Sequence, residues 1–322
     1  MSGPRPFRFA VQATTASSAA EWRELAVRVE DVGYSTLFLA DHYLGPGPAQ
    51  RAAHTPRQDV APIAAMATAA AVTDRLRIGC RVFCVDYHLP AVLAKETATL
   101  DVLSDGRLEV GIGAGWSDVE YTAMGVPFDA PARRVDKLEE VVALLKAHWS
   151  GDELDCSGDH VHVTGYAGTP RPVQHPHPPM MIGGARARVL SLAGREADIV
   201  SISNVPFVAR NEDGLTPTEE AMRRVGYARA AAGARFAALD VESSPYFVEV
   251  TADREAAIGR IARSLRTEPD VLRDHPNVLV GTADAIVDQL EERREPLAVN
   301  YVTIQQARLD QFAPIVERLA GR

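Results

Sequence analysis

The chain has 322 residues, of which 46% are hydrophobic and 24% are charged, and its formal net charge is -9 at pH 7. This composition is typical of a soluble globular protein, and the length allows a core that needs no disulfide or metal ion. The negative charge argues against nucleic-acid binding as the main activity, because proteins that bind the phosphate backbone carry basic faces.

Neither an export signal nor a membrane helix is apparent. The first residues, "MSGPRPFRFAVQ", lack the apolar core of a signal peptide, and no stretch approaches the roughly 18 uncharged apolar residues of a membrane span. Cys80, Cys84 and Cys156 are odd in number and have no metal-site spacing, as expected of free thiols in a reducing compartment. We therefore expect a cytoplasmic protein that binds neither nucleic acid nor a membrane.

Apolar runs with β character alternate with amphipathic helical patterns along the chain. The predicted strands are residues 7–12, 36–42, 75–85, 108–116, 179–184, 198–203, 245–251 and 300–305. The predicted helices are residues 18–33, 59–74, 89–107, 129–151, 186–197, about 217–233, 253–265 and 282–296, with a last helix at the C-terminus. Eight strands separated by helices favour a closed (β/α)₈ TIM barrel over an open doubly wound sheet.

We expect a single domain over residues 1–322, with two irregular segments. Residues 151–178 hold short β-like pieces such as "HVHVTGY" and many prolines, which indicates an insertion. The long loop at residues 204–216 is a candidate lid over the mouth of the barrel.

Asp41 and His42 end the second predicted strand, "TLFLADH". Ligands of parallel α/β folds lie at the carboxyl ends of the strands, and a buried unpaired carboxylate or imidazole costs several kcal/mol. Histidine also exchanges protons near neutral pH. The pair is therefore a candidate catalytic site, and a histidine that is merely hydrogen-bonded in the structure is the alternative.

The fourth predicted strand carries Gly111, Gly113 and Gly115 at alternate positions, before Trp116. Glycines in a strand often mark the close approach of another group. A flat ring could lie on such a bare strand face, while relief of crowding inside a narrow barrel is the competing explanation. A nicotinamide dinucleotide fingerprint is disfavoured, because it requires glycine where the chain has Trp116.

The segment "IGGARARVLSL" places two glycines at a strand end before a helix that begins near Arg186 and Arg188. Backbone amides, the helix dipole and a guanidinium group suit a phosphate there, and a plain tight turn is the alternative. His175 and His177 lie between prolines without accompanying carboxylates or cysteines, so we predict no metal site.

These landmarks together resemble the luciferase-like oxidoreductase superfamily and, within it, the branch that uses coenzyme F-420. The similar segments are "LADH", "LRIGCRVFCVDYHLPAVLAKETATLDVLSDGRLEVGIGAGW", "PPMMIGGARARVLSLAGREADIV" and "VGTADAIVDQLEERREPLAVNYVTIQ". Their order and spacing, more than any single segment, make the resemblance specific.

The resemblance implies a (β/α)₈ barrel in which a non-prolyl cis peptide at a bulge in strand three supports the cofactor ring. It places Asp41 near the ring and His42 toward the substrate. The cofactor-binding residues that it implies are Cys80, Arg81, Val82, Cys84, Gly113, Ala114, Gly115, Trp116 and, at the phosphate loop, Gly183, Gly184, Ala185 and Arg186.

One departure concerns the substrate. Sugar-phosphate dehydrogenases of this superfamily carry a catalytic glutamate directly after the strand-four glycines, where this chain has Trp116. The residue at this position therefore argues against a sugar phosphate and for an apolar pocket wall.

The function expected from the resemblance is hydride transfer between F-420 and a small organic substrate, with His42 exchanging a proton. The alternatives are an FMN-dependent monooxygenase on the same scaffold and a cofactor-binding protein without catalysis. The resemblance also implies a homodimer.

Overall fold

The computed structural model describes residues 5–322, and eight of its strands close into a barrel. The strands are β1 (Arg8–Ala13), β2 (Thr36–Leu39), β3 (Arg77–Cys84), β4 (Leu108–Gly113), β5 (Glu153–Ser157), β6 (His162–Ala167), β7 (Met180–Gly184), β8 (Ile199–Ile202), β9 (Asp240–Ser243), β10 (Phe247–Val250), β11 (Val278–Gly281) and β12 (Val299–Gln305). The order around the barrel is β1-β12-β9-β8-β7-β4-β3-β2, which confirms the predicted (β/α)₈ fold.

Helices connect the strands, as the alternating pattern predicts. They are α1 (Ala19–Val32), α2 (Pro48–Ala53), α3 (Pro62–Ala70), α4 (Pro90–Leu103), α5 (Asp118–Met124), α6 (Pro131–Ser150), α7 (Ala187–Glu196), α8 (Pro217–Ala232), α9 (Arg254–Leu265), α10 (Pro269–Arg273), α11 (Ala283–Leu297) and α12 (Leu309–Leu319). Short 3₁₀ segments cover Gly233–Ala238 and Gln306–Arg308. Within residues 5–322, every helix is too short or too polar to cross a membrane.

The long helix α6 shows how the sequence sets an element. Its start has a proline at the first position, where the missing N–H costs nothing, and its end has Gly151 in the left-handed conformation with φ 77°. Leu138, Val141, Leu145 and Trp149 are buried along one face, so the apolar stripe of the sequence is the core-facing side of the helix.

The seventh barrel strand differs from the prediction. The sequence points to residues 245–251, but the barrel uses β9, whose residues pair in parallel with β8 and β12. The apolar run at β10 instead pairs with β11 in a separate two-stranded sheet. The strand β9 was missed because it is polar: its Asp240 is buried beside Arg5 and Arg8, and its Glu242 accepts a hydrogen bond from Ser201.

The two irregular segments have different structures. Within residues 151–178, β5 and β6 pair in an antiparallel hairpin, which accounts for the β-like pieces of this predicted insertion. Residues 204–216 form no helix or strand between β8 and α8. A lid role for that loop stays a prediction.

The described part of the chain divides into two compact units. One comprises residues up to 11 together with 31–35 and 183–322, and the other comprises residues 12–30 and 36–182. The second unit contains β2, β3 and β4, and β4 pairs in parallel with both β3 and residues 180–182 of β7. The single-domain expectation stays a prediction.

Candidate active site

Asp41 lies just beyond the end of β2 and is almost completely buried. Its Oδ2 accepts a hydrogen bond from the backbone N–H of Cys84, over 2.8 Å, and lies 2.9 Å from Nε2 of His88. Its other oxygen, Oδ1, is buried and accepts no hydrogen bond from residues 5–322. The Tyr43 hydroxyl is near enough for the carboxylate to add to the burial that raises the pKa of Tyr43. Asp41 therefore ties β2 to β3 and keeps one acceptor available.

His42 is held by Glu120, which the sequence analysis did not identify. Nδ1 of His42 lies 2.8 Å from Oε2 of Glu120, and the backbone N–H of Tyr43 donates to Oε1 over 2.9 Å. The side chain of Glu120 is 1% exposed, whereas that of His42 is 15% exposed. Burial alone would raise the pKa of Glu120, but hydrogen bonds from His42, Tyr43 and Tyr87 outweigh it and hold the pKa below its ordinary value.

Glu120 belongs to the first turn of α5, which begins directly after the glycine-rich end of β4. Ser117 caps this helix, because its side chain accepts from the backbone N–H of Glu120. The spacing "SDVE" is that of a capping box, in which the glutamate would bond back to the cap. Here its carboxylate contacts His42 and Tyr43 instead. The capping-box spacing predicts a helix start after β4, and it is the sequence feature that could have pointed to Glu120.

The strand β3 is irregular beside Asp41. Its register against β4 shifts between Cys80 and Phe83, and the peptide bond between Arg81 and Val82 is cis. This confirms the non-prolyl cis peptide that the resemblance implies for residues 80–82. Arg81 and Val82 are partly exposed, whereas Cys80 is completely buried and presents no side-chain surface.

The glycines of β4 do not all leave bare backbone. A Cβ on Gly111 would lie 2.1 Å from the carbonyl oxygen of Cys80, and one on Gly115 would lie 1.9 Å from the Tyr121 hydroxyl. At 111 and 115 the protein's own atoms therefore fill the space that a side chain would take, as relief of crowding inside the barrel predicts. Cofactor binding by Gly113, Ala114, Gly115 and Trp116 stays a prediction. Gly113 is buried and Ala114 is partly exposed.

A hydrogen-bonded chain runs from Cys84 toward α6. The Tyr121 hydroxyl donates to Oδ2 of Asp86 over 2.7 Å, and Nζ of Lys137 donates to Oδ1 over 2.8 Å. Since the single hydroxyl hydrogen of Tyr121 is used there, the thiol of Cys84, 3.0 Å away, donates to the tyrosine oxygen. Burial raises the pKa of Cys84 to about 12, and a hydrogen bond from the backbone N–H of Asp86 offsets this only in part. Cys84 is therefore a neutral thiol.

Trp116 presents an open aromatic surface next to His42. Trp116 is 57% exposed. The centroid of its ring lies 6.1 Å from that of the His42 ring, and the two ring planes are at 87°. Tyr43, also exposed, packs edge to face against Tyr87 at 6.0 Å. His42 therefore has the exposed aromatic ring of Trp116 as a neighbour.

The predicted phosphate loop lies between β7 and α7. Gly183 and Gly184 end the strand, and Ala185 and the exposed Arg186 lead into the helix, whose first turn has no side-chain cap. A Cβ on Gly184 would lie 2.6 Å from Cγ1 of Val189, so close packing of the helix explains this glycine. Phosphate binding by the loop stays a prediction.

Comparison with known proteins identifies the family of the chain. The family model described as luciferase-like monooxygenase matches residues 5–277. The chain belongs to the luciferase-like monooxygenase family.

Three relatives show the range of this family. An uncharacterized protein of Mycobacterium tuberculosis is 34% identical over 200 residues, covering 59% of this chain and 64% of the relative. The FMNH(2)-dependent dimethylsulfone monooxygenase of Pseudomonas putida is 34% identical over 109 residues, 34% of this chain and 30% of that enzyme. The F420-dependent glucose-6-phosphate dehydrogenase of Amycolatopsis mediterranei is 31% identical over 176 residues, 54% of this chain and 50% of that enzyme. The chain thus matches less than two thirds of the length of these relatives.

The fold has close structural counterparts. The coenzyme F420-dependent tetrahydromethanopterin reductase of Methanopyrus kandleri superimposes with a TM-score of 0.75 over 98% of both chains, at 18% sequence identity. At that identity the likeness concerns the fold alone.

Proposed function

We propose that the chain is an oxidoreductase of the luciferase-like class that transfers a hydride between F-420 and a small organic substrate. The observation that carries this proposal is the pairing of a buried, partly unsatisfied Asp41 with a partly exposed His42 at the end of one barrel strand. The relative from Amycolatopsis mediterranei, an F420-dependent enzyme by name, supports the choice of cofactor.

The residues at the ends of β2 and β3 fit a deazaflavin ring. Oδ1 of Asp41 is a buried acceptor that awaits a donor, and such an atom is costly unless a ligand or water satisfies it. The partly exposed Val82, next to the bulge of β3, offers an apolar contact for a ring. When bound, the deazaflavin would supply or accept the hydride, while the protein provides orientation and electrostatics.

His42 would hold or release the substrate proton. Because its Nδ1 is taken by Glu120, Nε2 is the nitrogen that remains for a substrate. Trp116 would pack against the apolar part of that substrate and exclude water from it. The exposed ring of Trp116 next to His42 favours an apolar substrate over a phosphorylated one. We therefore propose an uncharged small molecule, such as a ketone or a secondary alcohol.

An FMN-dependent monooxygenase is the second candidate. The relative from Pseudomonas putida, which its name describes as FMNH(2)-dependent, is as similar over its aligned region as any relative described above. A protein that is yellow as purified, with flavin absorption, would favour this candidate.

The experiment is a calorimetric and spectroscopic titration with F-420 and with FMN, followed by turnover assays with uncharged ketones and secondary alcohols. We expect binding of F-420, and we expect His42→Gln to retain binding while turnover falls by about 10²-fold or more, the usual loss of a general acid or base. No response to either cofactor would refute the proposal. Tight binding with no turnover by the unmodified protein would instead identify a binding protein without catalysis.

The assembly is proposed on the resemblance alone. We propose a homodimer, which light scattering on the purified protein would test. A monomer at micromolar concentration would contradict it.

A further inference from the structure

The His42–Glu120 pair, together with the Tyr43 amide, forms a clamp with a defined direction of hydrogen bonding. Both oxygens of Glu120 are engaged, one by a backbone N–H that can only donate and the other by Nδ1 of His42. An ionised carboxylate can only accept hydrogen bonds. Nδ1 of His42 must therefore carry a hydrogen.

The hydrogen-bond partner at one nitrogen of a neutral imidazole decides which of the two ring nitrogens is protonated. Glu120 is the group that makes this choice for His42: it is the carboxylate within hydrogen-bond distance of Nδ1, and its side chain is 1% exposed. In a capping box, the carboxylate of Glu120 would accept a hydrogen bond from the backbone N–H of Ser117, at the start of its own helix. Helix α5 instead directs this carboxylate to Nδ1 of His42.

We propose that Glu120 is a positioning residue that fixes neutral His42 in the Nδ1–H tautomer, so that Nε2 is the unprotonated nitrogen that remains for a substrate. This inference deepens the proposed function, and it rests on that function only for its effect on turnover. The tautomer itself is a property of the protein without cofactor.

The substitution Glu120→Gln makes a sharp prediction. The Tyr43 N–H requires an acceptor, so the amide oxygen of the glutamine faces Tyr43 and the amide NH₂ faces Nδ1 of His42. Nδ1 must then accept, which moves the ring hydrogen to Nε2. The variant should invert the tautomer with hardly any change in side-chain volume.

The experiment is ¹⁵N NMR of the histidine rings in the protein as purified, at pH 9, where imidazole rings are neutral. His42→Gln assigns the signal of His42 among those of the nine histidines. We expect the Nδ1–H tautomer in the unmodified protein and the Nε2–H tautomer in Glu120→Gln. The matched control is Glu140→Gln, which makes the same change in charge at a glutamate that accepts from the backbone of residues 159–161.

Turnover separates this inference from the proposed function. With F-420 and an uncharged secondary alcohol as the probe, we expect kcat of Glu120→Gln to fall by about 10²-fold with little change in KM, because the base at Nε2 is lost. The Nε2–H tautomer in the unmodified protein would overturn the inference even if F-420 is bound and turned over. The expected tautomers in a protein that does not respond to F-420 would leave the inference standing and refute the proposed function.

Discussion

The carbonyl oxygen of Cys80 occupies the space where residue 111 would carry a side chain. A Cβ on Gly111 would lie 2.1 Å from this oxygen and 2.9 Å from Cγ1 of Val82. The contact falls where the register between β3 and β4 shifts. Gly111 is therefore the partner that allows β3 to bulge next to Asp41.

We expect Gly111→Ala to destabilise the protein by about 3 kcal/mol, the upper end for overpacking, because the nearer contact is the backbone carbonyl of Cys80 and relaxes poorly. Urea unfolding followed by circular dichroism measures the free energy of unfolding. The matched control is Gly226→Ala in α8, where a Cβ would meet no atom within 4 Å. That substitution should stabilise the protein by about 0.5–1 kcal/mol, because alanine favours the helix. Equal effects of the two substitutions would contradict the close approach at residue 111.

The sequence predicts most of the barrel because hydrophobic pattern and glycine or proline positions determine its regular parts. Helix α6 and strands such as β3 and β4 follow directly from these signals. Strand β9 does not, since its buried Asp240 depends on Arg5, Arg8 and Asn300, which lie far away along the chain. Burial of charge that distant partners compensate leaves no local pattern.

The candidate site divides in the same way. Asp41 and His42 stand out in the sequence because they are polar residues at the end of an apolar run. Glu120 and His88 do not, because each lies beyond the end of an apolar run, and only the fold brings Glu120 to His42 and His88 to Asp41. The atoms that pack against Gly111 and Gly115 could not be predicted either, since a glycine in the sequence does not indicate which group approaches it.

Asp41 offers a test that separates ligand binding from stability. In Asp41→Asn, the amide oxygen can keep the acceptor position of Oδ2, facing Cys84 and His88, while the NH₂ group replaces the unsatisfied Oδ1. The free energy of unfolding should then fall by only about 1 kcal/mol, the scale of one weakened hydrogen bond. Affinity for F-420 should fall at least about tenfold, or about 1.4 kcal/mol, because a donor would face the ligand where an acceptor is needed.

Calorimetric titration and urea unfolding measure these two quantities for Asp41→Asn. Asp288→Asn, at an exposed position of α11, is the control for the loss of one negative charge. If Asp41→Asn binds F-420 as tightly as the unmodified protein, Oδ1 of Asp41 does not face the cofactor.

The three cysteines should differ in reactivity. Burial raises the pKa of Cys80 well above its ordinary value and that of Cys84 to about 12, whereas Cys156 in the β5–β6 hairpin is partly exposed. The thiolate is the reactive form, so at pH 8 a pKa near 12 lowers its population roughly 10³-fold relative to an ordinary thiol. Titration of the native protein with a chromogenic disulfide should show one fast thiol, and three after denaturation. Cys156→Ser should remove the fast phase, and a second fast thiol in the native protein would contradict the buried positions.

His275 should make the stability depend on pH between 6.5 and 4. Its ring is stacked on that of Phe207, with centroids 4.0 Å apart and planes at 7°, and it accepts a hydrogen bond from the backbone N–H of Asn277. Burial lowers the pKa of His275 from 6.5 to about 4. The hydrogen bond to the Pro206 carbonyl raises this pKa in part, and the charge of Arg293 lowers it slightly further. Between these pH values the unfolded chain binds a proton that the folded protein does not. Acidification therefore favours unfolding.

The loss should reach about 3 kcal/mol by pH 4, since each pKa unit corresponds to about 1.4 kcal/mol. Urea unfolding at a series of pH values measures it, and His275→Gln should flatten the curve between pH 6.5 and 4. His54→Gln, at an exposed position, should leave the curve unchanged. Because the carboxylates titrate in both proteins, the difference between the curves of the unmodified protein and His275→Gln isolates this histidine. Parallel curves would mean that His275 is protonated at the same pH in the folded and unfolded states.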